Sequence, residues 1–210
     1  MAEMSEDETG RVYRILAAAY LEPPTEEWVS DMSRWAESWL ESDADSLTAD
    51  VAGPLETIRE TESDEIETFN AEFTRLFRGS TNHSAPDPPY ESLYMDGAIY
   101  GQSTTAVRNA YRNAGFDIED EDRREPADHL GIELEFLGEL RSREAAGDEE
   151  AAALQRAFID GHLGRWIGDF EDEVMAADPV PFYGAVLELT TSLIEAESQR
   201  LDGVTSGESN

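Results

Sequence analysis

The chain has 210 residues, with 48 Asp and Glu against 15 Arg and no Lys, giving a formal net charge of −33. Hydrophobic residues make up 40%, enough for a substantial core, yet no apolar run reaches the ~18 residues of a membrane span. Such a surface repels phosphate backbones and anionic lipid, which argues against nucleic acid and membrane partners, and the absence of Cys excludes disulfides and thiolate chemistry.

Helical periodicity runs through most of the chain. Val12, Ile15, Leu16, Ala19 and Tyr20 share one helix face, and Pro23-Pro24 ends it. Thr25 reads as an N-cap, followed by a stripe of Trp28, Met32, Trp35 and Trp39 that is expected in the core. A weaker helix over about 45–60 is interrupted at Gly53-Pro54. The next, about 64–77, puts Phe69, Phe73, Leu76 and Phe77 on one face.

Residues 78–103 break the pattern with Gly79, Gly97, Gly101, Pro86, Pro88 and Pro89. So long a connection is often functional. Helix resumes near Thr104 and stops at Gly115, and Asp117–Glu125 reads as a solvated acidic loop. Pro126 suits the first position of a helix over about 126–146. Further helices are expected at about 148–163, 164–176 and 181–201. Residues 202–210 have little apolar content and read as a disordered acidic tail. Nothing alternates as a strand would, so the fold is read as all-α, one domain over 1–201.

The charge itself calls for an environment. About 33 like charges repel one another at low salt, and at molar salt the Debye length shrinks to about 3 Å. With Lys absent, the composition fits the cytoplasm of an extreme halophile; the first ten residues, MAEMSEDETG, are no export signal. In such a chain most Glu and Asp face solvent, so an acidic cluster is a weak functional clue.

The stretch Glu125–Leu140 departs from that background. On a helical wheel its polar side holds Asp128, Gly131, Glu135 and Gly138, while His129 and Glu133 fall inside a wide apolar arc, four residues apart. A buried unpaired charge is costly, so the two either pair in the core or face a groove that grips a partner. No second His lies within helical reach, which makes a poor metal site, and no cofactor motif such as a phosphate-cradling Gly-Lys loop is present. Read alone, Phe73, Leu76 and Phe77 are core residues, and Pro88-Pro89-Tyr90 is a stiff loop. Ser92 lacks the Gly-x-Ser-x-Gly setting of a nucleophile.

Three segments in order, FNAEFTRLF (Phe69–Phe77), APDPPYESLY (Ala85–Tyr94) and EPADHLGIELEFL (Glu125–Leu137), resemble the TorD/DmsD/NarJ family of molybdoenzyme maturation chaperones. The resemblance extends over about residues 10–200. It implies an all-helical bundle of about ten helices with no enzymatic activity and no cofactor of its own. It implies a cytoplasmic chaperone that binds the twin-arginine signal peptide, or an equivalent N-terminal segment, of a molybdenum oxidoreductase precursor until cofactor is inserted. The client would be of the dimethyl sulfoxide or trimethylamine N-oxide reductase type, or a nitrate reductase as for NarJ. Carried over by position, the peptide-binding residues are Phe73, Leu76, Phe77, Pro89, Tyr90, Asp128 and His129. Tyr90 stands where relatives often have Trp. Relatives include monomers and homodimers, and some bind guanine nucleotide weakly.

Physical chemistry agrees with that expectation. A leader with a cationic segment and an apolar one suits an apolar groove with a carboxylate rim. Two buried anchors at about 1.5–3 kcal/mol each, less ordering costs, give roughly micromolar binding. In molar salt the apolar anchors outweigh the rim. The competing reading from a different class is a helical metalloenzyme using His129 and Glu133.

Overall fold

The computed structural model describes residues 6–43, 48–79, 85–116 and 125–207. The expected acidic loop, apart from Glu125, lies outside them, as do His83 and residues 208–210. Among the described residues the regular secondary structure is helical, with no strand and one isolated bridge. In order they form α1 Glu6–Leu21, α2 Glu26–Asp43, α3 Ala49–Arg59, α4 Ile66–Phe77, α5 Glu91–Asp96, α6 Gln102–Asn113, α7 Leu130–Ala145, α8 Ala151–Gly161, α9 Ile167–Ala176 and α10 Pro181–Gly207. Short 3-10 turns at Ser63–Glu65 and Leu163–Arg165 precede α4 and α9.

The chain divides into two compact units. The first takes residues 1–3, 22–88 and 170–193, and the second residues 4–21, 89–169 and 194–210.

In the first unit Thr25 caps α2, its Oγ1 accepting from the Trp28 N–H at 3.1 Å. The core side of α2 is Val29, Met32 and Ala36; Trp28, Trp35 and Trp39 are only half-buried, so the expected Trp stripe is an edge of the core. Pro54 sits inside α3 without interrupting it. The α4 face forms as the spacing requires, with Phe69, Phe73, Leu76 and Phe77 all buried. Their rings meet those of neighbouring helices: Phe77 stands edge-on to Tyr183 at 5.3 Å, and Phe69 lies 5.3 Å from Phe182. Arg75 forks onto both Glu72 oxygens at 2.6 Å and also donates to the Ala177 carbonyl at 3.0 Å. Glu72 in turn accepts from the Val180 N–H at 3.0 Å. Burial pushes the Glu72 pKa up, but the Arg75 fork and the Val180 N–H outweigh it and hold the carboxyl below its ordinary value.

In the second unit α1 packs closely on α7, and glycine permits the approach. A Cβ on Gly138 would meet the Gly10 carbonyl oxygen and Tyr13 Cβ at 3.0 Å, and one on Gly131 would meet Leu21 Cγ at 2.5 Å. The wheel had put Gly131 and Gly138 on the polar side of α7; both are buried against α1. A charged lattice joins α7, α8 and α10. Buried Arg141 donates to Glu144 Oε2 at 2.7 Å and lies 3.2 Å from Glu197, while Arg200 donates to both Glu144 oxygens at 2.8 and 3.0 Å. Burial raises the Glu144 pKa, and the hydrogen bonds from Arg200, Gln155 and Arg141 more than reverse it. The last helix runs past the expected end at 201, so residues 202–207 are helical and not part of a tail.

Candidate functional site

The seven positions expected to hold a peptide fall in both units. Phe73, Leu76 and Phe77 lie in the first, as buried members of its aromatic core. Pro89, Tyr90, Asp128 and His129 lie in the second, and there the structure brings two distant sequence segments together.

Tyr90 and His129 form an antiparallel bridge. Its two backbone bonds run from the Glu91 N–H to the Asp128 carbonyl and from the Leu130 N–H to the Pro89 carbonyl, each 2.9 Å. Two helices start at this clasp. The Asp128 carboxylate accepts from the Ser92 N–H at 2.9 Å, satisfying a donor in the first turn of α5. His129 is the N-cap of α7, its Nδ1 accepting from the Gly131 N–H at 3.0 Å. A backbone N–H can only donate, so Nδ1 carries the lone pair and the ring proton sits on Nε2.

This overturns one expectation. The helix does not begin at Pro126, so His129 and Glu133 are not two members of one regular helical face. A turn at Ala127-Asp128, closed by the His129 N–H on the Pro126 carbonyl at 3.1 Å, leads into His129, which the clasp holds extended, and the helix is delayed to Leu130.

The Tyr90 ring stands edge-on to the His129 ring at 5.4 Å, and its hydroxyl donates to Glu125 Oε2 at 2.6 Å. Of the seven positions, Tyr90 is half-buried and the other six are buried.

Behind the clasp lies a nest of carboxyls that sequence reasoning missed in part. Glu91, Asp128 and Glu133 are all fully buried. His162 Nδ1 lies 3.2 and 3.1 Å from the two Glu91 oxygens. The Trp166 indole N–H donates to Glu133 Oε2 at 3.4 Å, and Tyr94 stacks on Trp166 at 5.3 Å. Glu133 Oε1, Asp128 Oδ1 and Ser92 Oγ have no hydrogen-bond partner. Burial pushes the Glu133 pKa well above the ordinary carboxyl value; the charges of Glu91 and Asp128 push it further, and the Trp166 N–H opposes them.

Glu91 carried no signal in a chain with 48 acids, although it sits inside the Pro-Pro-Tyr segment. His162, one of three His, could have been picked out only by its rarity. Among the described residues no group of three or more His, Asp or Glu is disposed to hold a metal ion. No described helix is long and apolar enough to cross a membrane.

Comparison with known proteins agrees with this architecture. A protein from Vibrio vulnificus named Chaperone protein TorD is 34% identical over 140 residues; the alignment covers 63% of this chain and 64% of that protein's length. A Shewanella pealeana protein of the same name is 26% identical over 210 residues, covering 91% of this chain and 88% of its own. The crystal structure of a candidate redox enzyme maturation protein from Archaeoglobus fulgidus shares the fold, with a TM-score of 0.53, 21% identity and 96% of each chain covered. Residues 41–172, more than half of the chain, match the model of the family described as Nitrate reductase delta subunit, and the chain belongs to that family.

Proposed function

We propose that this chain is a molybdoenzyme maturation chaperone. It binds the twin-arginine leader, or an equivalent N-terminal segment, of a molybdenum oxidoreductase catalytic subunit in the cytoplasm and holds it until cofactor is inserted. It does so as a binding protein, not an enzyme, and works as a monomer or homodimer. The observation that carries this reading is the clasp: two segments that resemble the chaperone family, some thirty residues apart in sequence, are backbone-paired at Tyr90 and His129. Tyr90 offers the accessible apolar ring, and Glu125 brings a carboxylate to its hydroxyl, which suits a leader with both apolar and cationic parts. Phe73, Leu76 and Phe77 then serve as the aromatic support of the first unit, reached by the peptide only if that core opens.

The relatives named Chaperone protein TorD favour a client of the dimethyl sulfoxide or trimethylamine N-oxide reductase type. The family description favours a second reading, in which the client is a nitrate reductase.

Calorimetric titration with a synthetic leader peptide tests the proposal. Roughly micromolar binding is expected, weakened at least ten-fold, about 1.4 kcal/mol, by Tyr90→Ala. Absence of binding to the wild-type chain, or binding indifferent to Tyr90, contradicts it.

A further inference from the structure

Carboxylates are distributed along nearly the whole chain, yet the 20 residues from Gly97 to Phe116, GAIYGQSTTAVRNAYRNAGF, contain none and carry Arg108 and Arg112. The next longest acid-free run, Phe73–Pro86, has 14 residues, and its helical part supplies core side chains. The Gly97–Phe116 run is different, because much of it is surface.

Within the second unit α6 turns Thr104, Val107 and Tyr111 inward. Its other face exposes Thr105, Arg108, Asn109 and Arg112. Just ahead of the helix Ile99 and Tyr100 are 46% and 67% exposed, large apolar side chains held in water. They are held there by a fastened loop. The Ala98 N–H donates to the Ser92 carbonyl at 3.3 Å, and Asp96 Oδ2 accepts from the Ser103 N–H at 2.8 Å. Tyr100 itself has a left-handed backbone, φ 63°, which a bulky residue rarely adopts. Arg112 donates to Asn109 at 2.8 Å, and among the described residues neither Arg108 nor Arg112 is ion-paired with a carboxylate.

Interface cores are depleted of charge and enriched in Tyr and Arg, and this face has that composition on a chain that has it nowhere else at such length. Charge decides the occupant. An acidic protein approaching elsewhere meets a surface of its own sign; here it meets two guanidiniums. A cationic leader finds no carboxylate on this run. A second copy meeting this face symmetrically would set Arg108 and Arg112 against their own equivalents. We infer that the Ile99–Arg112 face docks a folded, carboxylate-bearing protein, with Ile99 and Tyr100 as apolar anchors and the two arginines as its charge partners. The occupant is the folded body of the client, as distinct from its leader, and to that extent the inference rests on the chaperone reading.

The test uses the full chain with two separate probes: a carboxylate-rich catalytic subunit of a molybdenum oxidoreductase with its leader deleted, and that leader as a synthetic peptide. Wild-type chain is expected to bind the leaderless subunit. Tyr100→Asp and the pair Arg108→Glu with Arg112→Glu are each expected to weaken that binding at least ten-fold while leaving leader binding unchanged. All three positions are exposed, and circular dichroism would verify that the variants are folded. Unchanged subunit binding by the folded variants overturns the inference. So does failure of the wild-type chain to bind the leaderless subunit, or a wild-type homodimer that the variants abolish. If the subunit binds as expected and the leader peptide does not, the leader reading fails and the docking face stands.

Discussion

The second unit buries carboxylates in two places on opposite principles. Around Glu144, Arg141 and Arg200 supply guanidiniums and Gln155 an amide, and the carboxyl is held below its ordinary pKa. Around Glu133 the neighbours are two more carboxyls, Glu91 and Asp128, relieved by one imidazole and one indole N–H, and the pKa is driven up. Desolvation pushes both pKa values up; guanidinium and amide partners reverse it at the half-buried Glu144, while carboxylate neighbours add to it at the fully buried Glu133. The first place braces helices. The second leaves polar atoms without partners directly behind the clasp, a cost that native cores avoid and that tends to persist where a site needs it.

The contrast can be broken most strongly at Arg141. Arg141→Met strips a guanidinium from Glu144 and Glu197, and a loss of about 3 kcal/mol is expected in denaturant titrations at high KCl. A loss under 1 kcal/mol would mean that Arg200 alone holds the lattice. Next comes the glycine seam that lets α7 sit close to α1. Gly138→Ala is expected to cost about 1–3 kcal/mol, because its new methyl meets backbone at Gly10. A neutral result would show that the helices can separate freely.

At the clasp, Asp128→Ala removes the acceptor of the Ser92 N–H and is expected to cost about 1–2 kcal/mol in thermal melts. The smallest and most diagnostic change is Glu133→Gln. The folded state binds this proton more tightly than the unfolded chain does. The group's contribution to stability therefore falls as pH rises from the ordinary carboxyl range through the raised folded value. Gln carries no such dependence, so the variant is expected to gain about 1 kcal/mol over wild type at pH 8 and lose the advantage near pH 4. Glu144 works the other way: its contribution is present at neutral pH and disappears as pH falls through its lowered value. An unchanged pH profile in the Glu133→Gln variant would contradict the raised Glu133 pKa.

Sequence made α1, α2, α4 and α6 legible because each has a period of 3.6 with a clear stop, such as Pro23-Pro24 or Gly115 at φ 69°. It lost α5, whose six residues are too short for a period and sit among prolines and glycines. It started α7 early because Pro126 is a good first residue, while the bridge to Tyr90 is a long-range pairing that no local pattern reveals. Gly131 and Gly138 read as polar on a wheel, though a missing side chain serves close packing equally well. Glu133 was visible as an acid in an apolar arc. Glu91 was hidden by the abundance of acid around it.

The claim on which the account turns is that the leader is gripped mainly by apolar contact. Its most direct measure is the leader-peptide dissociation constant across a potassium chloride series from low salt to about 3 M. Because salt screens exposed charge within about 3 Å at 1 M and leaves apolar burial intact, affinity is expected to stay within a few-fold above about 1 M. A steep, continuing loss of affinity over that range would place the binding energy in the carboxylate rim and contradict the account.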